Sequence, residues 1–311
     1  LRKKVLGLDE LHMYDIYVPL VPESDTQISF AEAKDIVKEG LRPLGEDYLK
    51  VLEAAYNSGW IDVYESVGKT SGAYSWGTYK SHPYVLLNYQ DNIDSLFTLA
   101  HEMGHALHTY FSNKNQIHLY AGYKIFVAEV ASTLNESMVM QHLINTTKDN
   151  KMKAYLIKHY LEQFRGTVFR QTMFAEFEKI THAALEANHA LTAEYLSKIY
   201  SDLNYKYYGA EVKIDEEICI EWARIPHFYN AFYVYKYATG FSAATALAQQ
   251  ILKEGQPAVD RYLTFLASGG SDYPINLLRK AGVDMEKPEP VRQALEVFVG
   301  LLDQLEKLLI N

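Results

Sequence analysis

Hydrophobic residues along most of the chain recur every three or four positions, which is the spacing of one face of an α-helix. Ser29 and Gly40 mark the ends of the first regular helix, because serine often caps the start of a helix and glycine often ends one. The same pattern predicts further helices over residues 44–57, 92–112, 121–146, 151–186, 192–206, 228–253 and 289–308.

Residues 60–90 have a different pattern, rich in glycine, aromatic and β-branched residues. The segment 84–89 is the strongest strand candidate and, with its neighbours, predicts a small sheet of two or three strands. Neither an internal repeat nor a low-complexity linker divides the sequence. We therefore expect a mainly α fold with a small β-sheet near 60–90, in a single domain that covers residues 1–311.

Composition and charge narrow the classes of function. The 311 residues, 48% of them hydrophobic, are enough to bury a large core. A net charge of −9 without a dense Lys/Arg block argues against nucleic acid or an acidic lipid surface as a partner. The sequence contains no run of about 18 apolar residues, so it predicts no membrane span. Cys219 is the only cysteine, which excludes an intrachain disulfide and favours the reducing cytoplasm.

One predicted helix combines an apolar pattern with titratable side chains at residues 99–108. His101 and His105 are four positions apart, so both imidazoles project from nearly the same side of the helix and can bind one cation. Glu102 projects from the adjacent flank, where it can take a proton from a water molecule that the cation activates. This HExxH pattern predicts a zinc site with a general base.

The third protein ligand distinguishes the classes of such sites, because a catalytic zinc keeps one position open. His108 and Phe111 stand where long-motif metalloproteases carry glycine and a third histidine, which excludes that class and leaves His108 a packing or supporting role. Glu129 lies in the most apolar part of the next helix, where ligation would offset the cost of a buried carboxylate, so we favour it as the ligand. Glu136, two turns on, is expected to support a ligand or to face solvent.

Gly104 lies inside the same predicted helix, where glycine costs about 1 kcal/mol relative to alanine. Such a cost is retained where another backbone comes close. We therefore expect the helix that carries Glu129 to cross the HExxH helix at Gly104.

The blocks 101–105 and 126–136 together resemble oligoendopeptidase F, a bacterial group of zinc metallopeptidases similar to thimet oligopeptidase. The blocks 224–229 and 233–240 agree with the same family, and the strand segment 72–89 also fits it. The resemblance implies a helical zincin-type metallopeptidase that cleaves internal bonds of oligopeptides in a deep channel and excludes folded proteins.

The resemblance also implies the residues that perform the reaction. It implies one zinc ion bound by His101, His105 and Glu129, with Glu102 as the general base. It further implies that the chain is the catalytic C-terminal portion of a protein about twice as long. The N-terminal half would pack against it as the other wall of the channel.

The third block supplies hydrogen-bond donors for the charge that develops on the attacked carbonyl oxygen. The family uses a histidine and tyrosines there, which points to His227, Tyr233 and Tyr237. The predicted helix places both tyrosines on one face, and which of them stabilises the oxyanion stays open. Tyr229 and Tyr235 point elsewhere on that helix and are expected to serve packing.

The segment Gly72, Ala73 and Tyr74 is a candidate substrate-binding element. An extended peptide can pair with an exposed strand edge through main-chain hydrogen bonds, which suits broad specificity. A purely structural hairpin is the equal alternative at this point.

Two other functions stay open. A zinc carboxypeptidase on a related helical scaffold would need a basic group for the substrate carboxylate, such as Arg224 or Arg170. A non-catalytic fragment, either peptide-binding or a helical interaction domain, would use the same fold without turnover.

Overall fold

A computed structural model describes residues 1–22 and 26–310. None of the helices in this described part combines the length and the apolar character needed to cross a membrane. The α-helices, in chain order, are α1 Arg2–Leu6, α2 Phe30–Gly40, α3 Glu46–Asn57, α4 Ile93–Asn115, α5 His118–Ala121, α6 Ile125–Thr146, α7 Asn150–Phe164, α8 Arg170–Glu186, α9 Ala193–Tyr208, α10 Tyr235–Glu254, α11 Gln256–Leu266, α12 Pro274–Ala281 and α13 Glu289–Ile310.

Two small sheets accompany the helices. The strands are β1 Leu11–His12, β2 Ile61–Asp62, β3 Tyr74–Trp76, β4 Tyr84–Leu86 and β5 Val212–Lys213. β2, β4 and β3 form a three-stranded sheet in that order, with β4 parallel to β2 and antiparallel to β3. The mainly α fold with a small sheet near 60–90 is confirmed. The second sheet, a parallel pair of β1 and β5, has no counterpart in the sequence prediction.

The chain folds into two compact units. The first unit consists of Leu1–Glu23, Ile157–Ala238 and Phe298–Asn311, and the second of Ser24–Leu156 and Thr239–Val297. Each unit has buried hydrophobic residues of its own, such as Phe174 and Tyr200 in the first and Leu99 and Met103 in the second. That residues 1–311 act as a single catalytic domain stays a prediction.

The centre of the second unit is the packing of α4 against α6, with α2 alongside both. Side-chain caps define where α2 and α4 begin. Ser29 caps α2 through a reciprocal contact with Glu32. The Asn92 side chain accepts the Ser95 amide at 2.8 Å and starts α4. Gly40 lets α2 approach α6 closely, since a Cβ there would lie 2.9 Å from the Val139 Cα.

Two predicted helices differ from the structure. The helix over 151–186 is interrupted by a π-helical turn, Arg165–Phe169, between α7 and α8. The helix expected over 228–253 begins only at Tyr235, because a short 3-10 turn, Pro226–Tyr229, and an irregular segment precede α10. Tyr233 therefore lies outside the helix, and the predicted common helical face of Tyr233 and Tyr237 is wrong.

Candidate metal centre

His101 and His105 lie on α4 with their rings 4.8 Å apart. Because the helix is regular through this stretch, the spacing of four residues places one ring a single turn above the other. Both side chains are partly exposed, so the ring atoms can reach a ligand from outside the core.

Glu129 of α6 completes a set of three donor atoms. Its Oε2 lies 3.4 Å from Nε2 of His101 and 3.5 Å from Nε2 of His105. Ligands about 2.0–2.1 Å from a tetrahedral ion lie about 3.3 Å from one another, so both distances suit one shared cation. The donor atoms of these three residues all lie within 4.8 Å of one another. Two imidazoles and one carboxylate leave room for a fourth ligand, as catalytic zinc sites require.

A second layer of contacts orients two of the three donors. Oε1 of Glu136 lies 2.6 Å from Nδ1 of His101, which leaves Nε2 of that ring directed at Glu129. Metal-binding histidines commonly donate their other ring nitrogen to a carboxylate in this way. Ser132 donates its hydroxyl to Oε2 of Glu129 at 2.9 Å. Of the two roles expected for Glu136, the structure favours support of a ligand over exposure to solvent.

Gly104 faces the backbone of α6. A Cβ at this position would lie 2.6 Å from both the carbonyl oxygen of Ala131 and the Cα of Ser132. A Cβ atom does not lie this close to backbone atoms in real proteins, so only glycine allows the two helices to cross here. The expected close crossing at Gly104 is thus present, and it brings Glu129 within reach of the α4 histidines.

Asn135 fixes the same crossing one turn further along α6. Its side-chain amide donates to the Ala100 carbonyl at 3.1 Å, and its oxygen accepts the Tyr48 hydroxyl at 2.8 Å. All three residues are buried, so each hydrogen bond holds polar groups that would otherwise be unsatisfied in the core. Sequence reasoning missed Asn135, because its neighbours Glu136 and Ser137 are also polar and do not distinguish it.

Glu102 is buried beside the donor set. Its Oε2 has no hydrogen-bond partner among the described residues. Burial raises the pKa of Glu102 to about 7, and the carboxylates of Glu129 and Glu136 act in the same direction. A carboxyl group held in this range can accept and return a proton near neutral pH.

His108 lies at the far side of α4 from solvent and stacks on Tyr123 with ring centroids 3.7 Å apart. Burial lowers the pKa of His108 to about 3, so the ring is neutral and acts as a packing group. This is the packing role that the sequence predicts for it.

Strand β3 runs alongside the part of α4 that carries the histidines. At one end, Gly72 and Ala73 line a cavity of about 330 Å³ together with Thr98 of α4. At the other end, a Cβ on Gly77 would lie 3.1 Å from the Thr109 side chain. His101 and His105 lie between these two points of α4. The predicted substrate-binding residues thus lie at the start of an edge strand beside the donor set.

A family model described as peptidase family M3 matches residues 1–297. The chain belongs to peptidase family M3. It is 54% identical over 311 residues to oligopeptidase PepF of Bacillus subtilis, covering 100% of this chain and 46% of that protein. It is 47% identical to an oligoendopeptidase F homolog of Lactococcus lactis, covering 99% of this chain and 51% of that one.

Solved structures agree with this family M3 assignment. A putative peptidase from Chlamydophila abortus superposes with a TM-score of 0.93 at 43% identity, over 99% of this chain and 51% of that one. Oligoendopeptidase-F from Enterococcus faecium superposes with a TM-score of 0.77 at 41% identity, over 99% of this chain and 48% of that one. The chain therefore spans about half the length of the family M3 proteins that it matches.

The other predicted site residues of this family M3 chain lie in the first unit. His227 is in the 3-10 turn before α10, and its ring centroid lies 6.2 Å from that of Tyr233 and 6.1 Å from that of Tyr237. The two tyrosine rings are 5.6 Å apart. The fold thus gathers the three predicted donors into one cluster, although Tyr233 reaches it from an irregular segment. Tyr229 is 92% exposed, so the packing role expected for it is wrong.

Phe232 explains why Tyr233 is not helical. Its backbone has a φ of 56°, a left-handed conformation that is unfavourable for a bulky residue. Its amide donates to Oε1 of Glu178 at 2.8 Å, and its ring packs on His182. Glu178 is a buried carboxylate on α8 that sequence reasoning missed, because Glu176 and Lys179 beside it are also charged and nothing in the pattern distinguishes Glu178 from them.

Arg170 and Arg224 were candidates for binding the carboxylate of a carboxypeptidase substrate. Both guanidinium groups instead contact Oε1 of the buried Glu221, with Arg170 at 2.6 Å. Tyr200 also donates to Glu221, so the carboxylate and both arginines belong to one internal network. Both arginines therefore already have a carboxylate partner within the protein, and neither is set aside to bind the carboxylate of a substrate.

Proposed function

We propose that this chain carries the active site of a zinc-dependent endopeptidase that cleaves internal bonds of oligopeptides. Family M3 membership implies a metallopeptidase, and the similar proteins are named oligopeptidases. The observation that carries the proposal is the donor set of His101, His105 and Glu129, whose spacing suits one tetrahedral ion.

Each residue of the centre has a separate role in the proposal. Zinc, when bound to the three donors, would polarise the substrate carbonyl and lower the pKa of water. Glu102 would accept a proton from the attacking water and later return it to the leaving amine. Glu136 would hold the His101 ring through Nδ1, and Ser132 would hold Glu129.

Substrate binding and oxyanion stabilisation involve the remaining predicted residues. The segment Gly72, Ala73 and Tyr74 would bind an extended peptide along the edge of the sheet, where the main chain of Ala73 faces outward. The cluster of His227, Tyr233 and Tyr237 would donate hydrogen bonds to the developing oxyanion. Packing against an N-terminal half and a cytoplasmic location stay predictions.

The proposal is tested with internally quenched oligopeptides blocked at both termini, combined with measurement of bound metal. The parent protein should contain one zinc ion per chain and cleave these peptides. Glu102→Gln should keep the zinc and lose activity by a factor of about 10²–10⁴, because it removes the base and leaves the ligands in place.

Two histidine variants complete the experiment. His101→Ala should lose both zinc and activity, whereas His189→Ala, which removes an exposed histidine outside the site, should lose neither. Cleavage restricted to peptides with a free C-terminus would favour the carboxypeptidase instead. A parent no faster than Glu102→Gln would leave only the non-catalytic fragment.

A further inference from the structure

The hydrogen bonding of the three-stranded sheet shows which backbone groups of β3 face outward. The amides of Val85 and Leu87 donate to the β2 side, to Trp60 and Asp62, each at 2.8 Å. Because successive residues of a strand point their amides to opposite sides, Tyr84 and Leu86 face β3. They lie opposite Trp76 and Tyr74.

Consequently the backbone of Ser75 points away from β4, as does that of Ala73 and Gly77. Outside the pairing of β3 with β4, none of these three has a backbone-to-backbone hydrogen bond to any residue that the structure describes. The segment 72–77 also lacks charged residues and proline, the usual features that prevent strand pairing at an exposed edge. The edge of β3 is therefore open and able to accept another strand.

The two faces of this edge strand differ in chemistry. The face that includes Ser75 and Val85 turns inward to α4, as the contact between Gly77 and Thr109 shows. The opposite face carries three aromatic rings: Tyr74 is 51% exposed, Trp76 is 73% exposed and Tyr84 is 55% exposed. Trp76 and Tyr84 lie directly opposite each other across β3 and β4. Tyr74 and Trp76 project from the open edge strand itself and mark a binding surface, whereas Tyr84 lies one strand further in.

We propose that Tyr74 and Trp76 determine specificity, by packing against apolar or aromatic side chains at two alternate positions of an extended oligopeptide paired with β3. This rests on the proposed function, because the peptide is taken to be its substrate. An antiparallel peptide would exchange hydrogen bonds with Ser75. Its residues opposite Tyr74 and Trp76 would form the closer, non-hydrogen-bonded pairs, with Cα atoms about 4.5 Å apart.

The alternation of a strand makes the inference specific. Side chains of the peptide that face Tyr74 and Trp76 are two residues apart, and the residue between them faces α4. A preference for apolar side chains should therefore appear at two positions of the peptide. The single residue between these positions does not contact the two rings. Aromatic contacts of this kind correspond to about a 2- to 12-fold change in kcat/KM at each position.

The test uses blocked, quenched peptides in which each position in turn is Phe or Ala. In the parent, the ratio of kcat/KM for Phe over Ala should be raised at two positions separated by one residue. Trp76→Ala should abolish one of these preferences and Tyr74→Ala the other. Tyr84→Ala is the matched control, because it removes a similarly exposed ring about 10 Å from the peptide, two strand spacings away. It should change either ratio less than about 2-fold.

A parent with normal hydrolysis whose preferences survive both variants, or change at adjacent positions, would overturn the inference. Binding of the same peptides to Glu102→Gln, measured by calorimetry, separates it from the proposed function. Alternate preferences in binding without any hydrolysis by the parent would refute the endopeptidase and support the role of Tyr74 and Trp76. Absence of the alternate pattern from binding as well would refute that role.

Discussion

The two segments that carry candidate chemistry are built in opposite ways. The metal centre lies on two long helices, α4 and α6, whose crossing is fixed by Gly104 and Asn135. The donor cluster of His227, Tyr233 and Tyr237 lies on a 3-10 turn, an irregular segment and the start of α10.

This difference shows where the local sequence pattern is sufficient to predict the directions of side chains. On regular helices the spacing of residues fixes the directions of their side chains, so three candidate ligands can be proposed from spacing and burial alone. In the irregular segment, the direction of Tyr233 depends on the tertiary contact between Phe232 and Glu178.

The largest expected effect is a substitution that separates the two helices of the metal centre. Gly104→Val should lower the free energy of unfolding by about 3 kcal/mol and abolish zinc binding, because α6 must move away from α4. Gly300→Ala in α13 is the control: a Cβ there meets nothing within 4 Å, so helix propensity should raise stability by about 0.5–1 kcal/mol. Urea unfolding and metal analysis measure both effects. Normal zinc content in Gly104→Val would contradict the close crossing.

A smaller effect is expected where one contact determines the irregular segment. Glu178→Ala leaves the Phe232 amide without its acceptor and should cost about 1–2 kcal/mol of stability. Glu178→Gln retains an oxygen acceptor and should stay within about 0.5 kcal/mol of the parent at pH 7. Urea unfolding of the two variants gives the comparison. Equal loss in both would show that charge, rather than the hydrogen bond to Phe232, holds the segment.

The smallest effect is a pH dependence from the same carboxyl group. Burial raises the pKa of Glu178 above its ordinary value of 4.5, although the Phe232 amide and His182 oppose the shift. The folded protein then binds the proton more tightly than the unfolded chain does. The contribution of Glu178 to the stability of the fold is most favourable below about pH 4.5 and is lost as the pH rises through the pKa that Glu178 has in the folded protein.

Unfolding of the parent and of Glu178→Gln between pH 4.5 and 7 measures this contribution. The parent should lose stability relative to the variant as the pH rises. A relative gain by the parent over the same interval would mean that the folded pKa of Glu178 is lowered, contrary to its burial.

Several features of the metal centre follow from sequence for identifiable physical reasons. The positions of His101, His105 and Glu129 follow from helical spacing and from the cost of a carboxylate in an apolar helix. The crossing at Gly104 follows from the cost of glycine inside a helix. His108 is assigned to packing because two histidines already occupy that side of α4.

Other features depend on contacts between distant parts of the chain. Tyr233 was placed on a helix because the pattern of residues 228–253 is helical, but the contact of Phe232 with Glu178, 54 residues earlier, delays α10. The pairing of β1 with β5 joins two-residue strands far apart in sequence, and two residues carry no periodic signal. Asn135 and Glu178 each have polar or charged neighbours in sequence, so the sequence indicates neither their burial nor their partners.

The most direct test of the metal centre is anomalous X-ray scattering at the zinc edge from crystals of the protein. A single peak should lie about 2.0–2.1 Å from Nε2 of His101, Nε2 of His105 and a carboxylate oxygen of Glu129. It should disappear in His101→Ala. A zinc peak away from these three residues, or none in crystals grown with zinc, would contradict the proposed centre.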